Sequence, residues 1–254
     1  MRQHTLTICE SRPIGNLHWV AFEAANIAAN WQPGQYLQIL CDDPQHPQRH
    51  LLRASFPAVV DAKLARIGLV IAPQTDEGWR WLAQQAVGSP VWCHGPHGKL
   101  PQPLNDRGTA LCIGQTEGTI RLLGMVNALQ QRHTSVTLIA GDMSPQWYVP
   151  PQLLPTDVEY LAGPENILRV AEKRLPELIR WADQIFIAAS APMATTLVQM
   201  IRQIRLRGGK YVATAMPTTP LPCASMACQQ CRVQTRHGPR LACQVGPWFG
   251  VHVL

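Results

Sequence analysis

Four cysteines near the end of the chain carry the most specific chemistry in the sequence. Cys223, Cys228, Cys231 and Cys243 are separated by four, two and eleven residues, so half of the eight cysteines fall within 21 positions. A C-x4-C-x2-C run followed by a more distant cysteine is a spacing that holds a 2Fe–2S cluster on thiolates. Without a cation to neutralise them, four thiolates on one short loop repel each other and stay protonated. The intervening Ala224, Ser225, Ala227, Gln229 and Gln230 are small or uncharged. They let the backbone curl around a cluster and offer N–H groups to its sulfurs. Zinc favours paired C-x2-C knuckles; here one such pair is joined to a C-x4-C step and a long gap, so zinc is the weaker fit. Two disulfides would need an oxidising compartment, for which the sequence holds no signal. Cys9, Cys41, Cys93 and Cys112 stand singly in apolar surroundings, and buried free thiols explain them.

The elements that must position this loop change character along the chain. Residues 1–104 read as short strands punctuated by proline and glycine, at 5–9, 18–24, 36–41, 50–60, 65–72 and 90–94, with a single helical stretch at 77–85. That pattern predicts a small β-barrel. Residues 105–218 alternate apolar strands (109–114, 135–140, 158–161, 184–188, 210–215) with helical periodicity at 118–132, 167–181 and 193–207. Strand–helix repeats of this pitch predict an α/β domain of nucleotide-binding type, a parallel sheet with helices on both faces. Residues 219–254 form the cysteine module.

Composition narrows the function classes. The 254 residues suit two domains and an appendage, and 46% hydrophobic content supports a sizeable core. Charged residues make up 15%, against about a quarter in an average protein. Together with 22 prolines and eight tryptophans, this suggests a loop-rich protein that buries surface against a partner. The net charge of +6 is gathered in no basic run except Arg202, Arg205, Arg207 and Lys210, which read as the solvated end of a helix. Nucleic-acid binding is not indicated. No apolar leader and no run of membrane-spanning length is present, so a soluble, cytoplasmic protein is expected. The nine histidines show no metal-ligand spacing, and His94 and His97 read as turn residues. Trp79 and Trp81 read as packing residues on different helix faces. No motif supports hydrolytic chemistry, and no catalytic residue is assigned.

The order of barrel, α/β domain and cysteine module resembles the ferredoxin–NADP reductase superfamily. Within it, the chain is similar to the iron–sulfur flavoprotein electron-transfer subunit of two-component dihydroorotate dehydrogenases. The likeness covers nearly the whole chain. Cys243-Gln244-Val245-Gly246-Pro247-Trp248-Phe249 is similar to that family's C-x-x-G-P-x-F ending. Pro33-Gly34-Gln35 resembles its PGQ turn, and Gly95-Pro96-His97-Gly98 its GPLG turn. The resemblance implies FAD between barrel and α/β domain, near Arg53, Ser55, Thr75, Gly95, Pro96 and Gly98. It implies NAD(H) at the turn containing Gly114 and Gly118, and a 2Fe–2S cluster on Cys223, Cys228, Cys231 and Cys243. It also implies a hetero-oligomer in which electrons pass to a catalytic flavoprotein such as dihydroorotate dehydrogenase, in pyrimidine biosynthesis. A flavin takes a hydride as two electrons and a cluster releases them singly. Met226, Gln229 and Gln230, beside the cysteines, are the candidate partner contacts.

Several motifs depart from the family pattern. Arg-Pro-x-Ser is replaced by Leu52-Arg53-Ala54-Ser55, so Arg53 falls on the other strand face and reads either as a surface charge or as a phosphate ligand. In Ala72-Pro73-Gln74-Thr75-Asp76-Glu77-Gly78, Pro73 lacks an amide donor and two acids stand where phosphates would lie; Thr75 reads alternatively as a helix cap. Gly114-Gln115-Thr116-Glu117-Gly118-Thr119 keeps two glycines but places an acid at the helix start, which repels a pyrophosphate. Ala189-Ser190-Ala191-Pro192-Met193 stands in place of a Cys-Gly-Pro turn. Both turns also read as plain strand–helix links. Two alternatives therefore stay open: an iron–sulfur relay or scaffold subunit of a larger redox complex that has lost NADH binding, with or without FAD, and a zinc-stabilised interaction module.

Overall fold

The computed structural model describes residues 3–42, 52–205 and 212–254. Period-two alternation makes the first part of the chain a sheet. Its strands are β1 (Gln3–Ile14), β2 (Leu17–Glu23), β3 (Tyr36–Leu40), β4 (Leu52–Ser55), β5 (Val59–Asp61), β6 (Arg66–Ile71) and β7 (Pro90–His97). They pair antiparallel in the order β4-β3-β7-β1-β2-β6-β5. Leu6, Ile8, Val20, Phe22, Leu37, Ile39, Leu69 and Val91 share one buried core, so the sheet curls around it. The edge strands β4 and β5 are consecutive in sequence, and residues 56–58 draw the two ends together.

The single strand expected at 50–60 is thus two, because Pro57 has no N–H to extend a ladder; residues 50 and 51 lie outside the described residues. Besides the expected helix, here α2 (Glu77–Ala83), a one-turn helix α1 (Ala25–Ala28) packs on the barrel core. His94 and His97 are strand residues of β7 rather than turn residues. Trp79 and Trp81 both pack, partly buried, against the barrel core.

The second sheet is built from β8 (Gly108–Gln115), β9 (Thr134–Gly141), β10 (Glu159–Ala162), β11 (Gln184–Ala189) and β12 (Val212–Pro217), all parallel. Helices α3 (Glu117–Gln130), α4 (Ile167–Val170), α5 (Leu175–Trp181) and α6 (Ala191–Arg205) connect them. The order β10-β9-β8-β11-β12 reverses its winding between β8 and β11, and that switch point is where open α/β sheets take ligands. The helix expected at 167–181 is broken into α4 and α5; Pro176, in the first turn of α5, cannot continue a helix arriving from α4. Arg202 and Arg205 are not a solvated helix end: Arg202 donates to the Val251 carbonyl, and Arg205 donates to those of Ile179 and Ala182. Arg207 and Lys210 lie outside the described residues.

The cysteine segment adds a hairpin, β13 (Arg232–Thr235) with β14 (Gly238–Leu241), then α7 (Ala242–Val245) and β15 (Phe249–Gly250). β15 pairs antiparallel with β12, so the tail closes the second sheet. Trp248, 1% exposed, donates from Nε1 to the Gly34 carbonyl at 3.1 Å and meets Phe186 edge-on at 6.2 Å. One hydrophobic core accordingly contains Tyr36 and Phe56 of the barrel, Phe186 of the α/β sheet, and Leu221, Cys231 and Trp248 of the cysteine segment. Among the described residues, no helix is long and apolar enough to cross a membrane.

Candidate cofactor site and cysteine loop

Three residues of the cysteine loop, Ala224, Met226 and Gln229, adopt left-handed backbone (φ 46°, 66° and 54°), which folds the chain back on itself. The turns draw Cys223 and Cys228 together with their sulfurs 3.2 Å apart, while the Cys243 amide reaches the Cys231 sulfur at 3.5 Å. Backbone amides also favour the charged form of these thiols: those of Cys228 and Ser225 work to lower Cys223, that of Gln230 works to lower Cys228, and that of Met226 works to lower Cys243. Burial works to raise the Cys223 thiol, but the Cys228 and Ser225 amides outweigh it and bring Cys223 down to about 6. Burial and the neighbouring Cys231 push Cys243 up to about 11. Among the described residues no three His, Cys, Asp or Glu side chains already converge as one metal-binding group. The sulfurs instead form two pairs within electrostatic reach of each other. Cys231 is buried at the core side and Cys228 is exposed.

A cavity of about 380 Å³ adjoins this loop between barrel and α/β domain. Arg53, Ser55 and Thr75 line it, with Phe56 and Trp79 as aromatic walls, and Pro220 to Pro222 lead directly from it into Cys223. Arg53 is therefore not a surface charge: its Nε donates to Asp76 Oδ1 at 2.7 Å, with 27% of the side chain exposed. The same carboxylate oxygen accepts from the Gly78 and Trp79 amides at 2.8 and 3.2 Å, so Asp76, not Thr75, caps α2. Thr75 instead donates its hydroxyl to the Ala72 carbonyl at 2.8 Å. Partial burial works to raise Asp76, but Arg53 and the two amides hold it below the ordinary carboxylate value.

Arg121 faces the cavity from the first turns of α3, where sequence reasoning had not looked. It pairs with Glu117 at 2.9 Å and lies 5.6 Å from the Phe56 ring centre. Its other terminal nitrogen, Nη1, is buried without a hydrogen-bond partner. The signal available in the sequence was the Glu117–Arg121 spacing of four, directly after the Gly114–Thr119 turn. An orphaned guanidinium donor in an aromatic-walled cavity fits an anionic, planar-ringed group such as FAD.

The switch point differs. The Gln115 side chain crosses it, donating from Nε2 to Asp142 at 2.8 Å and accepting from the Ser190 amide at 2.9 Å. A Cβ on Gly118 would stand 2.0 Å from the Ala188 carbonyl, and one on Gly114 would stand 2.5 Å from the Thr119 hydroxyl. Both glycines serve close packing of α3 on the strands. With Glu117 at the head of α3 as well, the residues present do not fit the pyrophosphate of NAD(H).

Of the remaining residues expected near FAD, Gly95, Pro96 and Gly98 do not line the cavity. Gly98 instead docks the cysteine segment: a Cβ on it (φ 78°) would come within 2.6 Å of Pro247, and the neighbouring Lys99 amide donates to the Gly246 carbonyl at 3.2 Å, while Gly95 packs on Tyr36 and Leu37 of β3.

No protein-family model matches the chain, and no curated protein matches it in sequence. Solved structures match its fold. The NADH-dependent reduced ferredoxin–NADP oxidoreductase of flavin-based electron bifurcation aligns with a TM-score of 0.75 and 15% identity, over 98% of this chain and 88% of that one. The ferredoxin reductase of carbazole 1,9a-dioxygenase aligns at 0.62 and 20% identity, over 80% of this chain and 65% of that one. The ferredoxin–NADP reductase of Neisseria gonorrhoeae, with bound FAD and NADP, aligns at 0.59 and 13% identity, over 82% and 92%. The chain has the ferredoxin–NADP reductase-like fold.

Proposed function

We propose that this chain is an electron-transfer protein that holds a 2Fe–2S cluster on Cys223, Cys228, Cys231 and Cys243 and FAD in the adjoining cavity. The observation that carries the reading is the meeting of the four cysteines in two sulfur pairs beside that cavity. Two separated thiol pairs suit a two-iron group better than one zinc ion, which draws four ligands to within about 2.3 Å of a single centre. When bound, flavin and cluster together would exchange electron pairs for single electrons. Arg121 and Arg53 would hold the FAD phosphates, Ser55 and Thr75 would line its bed, and residues 220–222 would screen it from water on the cysteine side. The neighbour with bound FAD and NADP, and the two other reductases of the same fold, favour this class of activity.

In the finer reading, electrons leave through the exposed cysteine edge to a catalytic flavoprotein such as a dihydroorotate dehydrogenase subunit, within a cytoplasmic hetero-oligomer. Met226, 47% exposed, and the exposed Gln229 and Gln230 would form the contact. A second reading is favoured by Gln115: with the switch point crossed by its side chain, electrons come from a donor other than NADH and the protein serves as a relay. Anaerobic purification with iron, acid-labile sulfide and flavin measured on one sample tests both. Two irons and one FAD per chain support the first reading, with an NADH titration deciding the donor; iron without flavin supports the relay. Zinc alone removes both.

A further inference from the structure

The charges of the chain are divided unevenly. All 16 Asp and Glu residues lie at or before Asp183, and residues 184–254 contain seven Lys and Arg and no acid. Two of the seven, Arg202 and Arg205, are held by backbone carbonyls. Arg232, Arg236 and Arg240 stand exposed on the β13–β14 hairpin of the cysteine segment. Among the described residues none of these three pairs with a carboxylate. Arginines on other faces find such partners: Arg12 meets Glu10 at 2.7 Å, Arg132 meets Asp106 at 2.7 Å and Arg174 meets Glu159 at 2.6 Å. The hairpin borders the cysteines, because Arg232 directly follows Cys231 and donates to the Gln229 side chain at 2.8 Å. It is also fixed in place: Val233 and Thr235 are buried, and the Arg236 amide donates to the Val253 carbonyl at 2.8 Å. Beside it the segment exposes Cys228 and two apolar side chains, Met226 at 47% and Val245, in the same turn as Cys243, at 41%.

We propose that the cysteine segment is a docking surface for a protein with a carboxylate-rich face, with Met226 and Val245 at its apolar centre and Arg232, Arg236 and Arg240 pairing with carboxylates around them. An apolar centre with a charged rim is the ordinary anatomy of a protein interface. A rim of one sign steers an oppositely charged partner into register and repels a like-charged one. The fixed hairpin presents the guanidinium groups with little order left to lose on binding. Single-stranded nucleic acid needs exposed aromatic rings to stack on, and the aromatic residues of this segment, Trp248 and Phe249, are buried at 1% and 5% exposure. The same burial leaves no aromatic anchor for a lipid surface. That the partner takes electrons rests on the function proposed above; that it is acidic rests on the charges alone.

Cytochrome c supplies a matched pair of probes: the native, lysine-rich protein, and the succinylated one, whose lysines carry carboxylates instead. The immobilised full chain should bind the succinylated form and not the native one, with affinity falling about tenfold between about 50 and about 200 mM salt. Arg232→Gln/Arg236→Gln/Arg240→Gln should bind it about tenfold more weakly, whereas Lys63→Gln/Arg66→Gln/Arg180→Gln, which removes the same charge from exposed positions on other faces, should stay within about twofold of the wild type. Val245→Glu, which puts an acid into the apolar centre, should weaken binding as well. Equal weakening in the two triple variants, equal binding of the two cytochrome forms, or tighter binding of the wild type to poly(U) RNA or to phosphatidylserine vesicles overturns the proposal. Iron and sulfide measured on the same samples keep the two readings apart. A wild-type chain with full iron that ignores succinylated cytochrome c sinks the docking surface alone, and one that binds it without iron or sulfide sinks the cluster alone.

Discussion

The cysteine loop and the switch point of the α/β sheet are both places where this fold could hold a cofactor, and they are built in opposite ways. At the loop, four cysteines stand in two sulfur pairs, Cys223 with Cys228 and Cys231 with Cys243, and no side chain other than their own lies across them in the hydrogen bonds of the described residues. At the switch point, the Gln115 side chain bridges Asp142 and the Ser190 amide, and Thr119 and Ala188 pack directly against the two glycines. The cavity proposed for FAD stands between these extremes. Asp76 already takes the helix-cap amides and Arg53, yet Arg121 keeps one donor without a partner. A fold can thus keep its architecture while individual sites close by side-chain capture.

Four changes break or sharpen that contrast. Cys231→Ser should have the largest effect, leaving the purified protein with less than about a tenth of the wild-type iron, because a buried ligand cannot be replaced from solvent. Retention of full iron would remove Cys231 from the ligand set. Trp248→Ala deletes the side chain that joins barrel, α/β sheet and cysteine segment, and should cost about 3–5 kcal/mol in urea unfolding. A loss under about 1 kcal/mol would mean that the segment is an independent appendage rather than part of the core.

Arg121→Met should weaken FAD retention by about tenfold, or about 1.4 kcal/mol, while leaving iron unchanged. Equal flavin occupancy in both proteins would remove Arg121 from the cavity's binding set. The smallest effect is expected at Asp76. Its native pKa lies below the ordinary value of 3.8, so its contribution to stability is complete above about pH 4 and is lost as acid brings the pH down through the native pKa. Urea midpoints measured against pH should show this acid limb in the wild type and a flatter one in Asp76→Asn.

Much of this architecture was legible in the sequence because it is periodic. Alternation in 18–24 gave β2 and the 3.6 period of 118–132 gave α3, each to within a residue or two. The grouping of the four cysteines was legible because it is written in local spacing. What was not legible depends on residues far apart in the chain. The Arg53–Asp76 pair spans 23 positions, and the bond from Gln115 to the Ser190 amide spans 75. β15 joins β12 through a two-residue pairing too short to leave a pattern. Capping of α2 is one of two roles the sequence offers Thr75; Asp76 takes it instead, its carboxylate accepting the Gly78 and Trp79 amides while pairing with Arg53. No local rule contains that term.

The most direct test of the account is the electron paramagnetic resonance spectrum of anaerobically purified protein after dithionite. It predicts a red-brown protein that bleaches and shows one unpaired electron spin per chain, from the reduced 2Fe–2S cluster on the four cysteines. A colourless protein with no spin signal and stoichiometric zinc would contradict it.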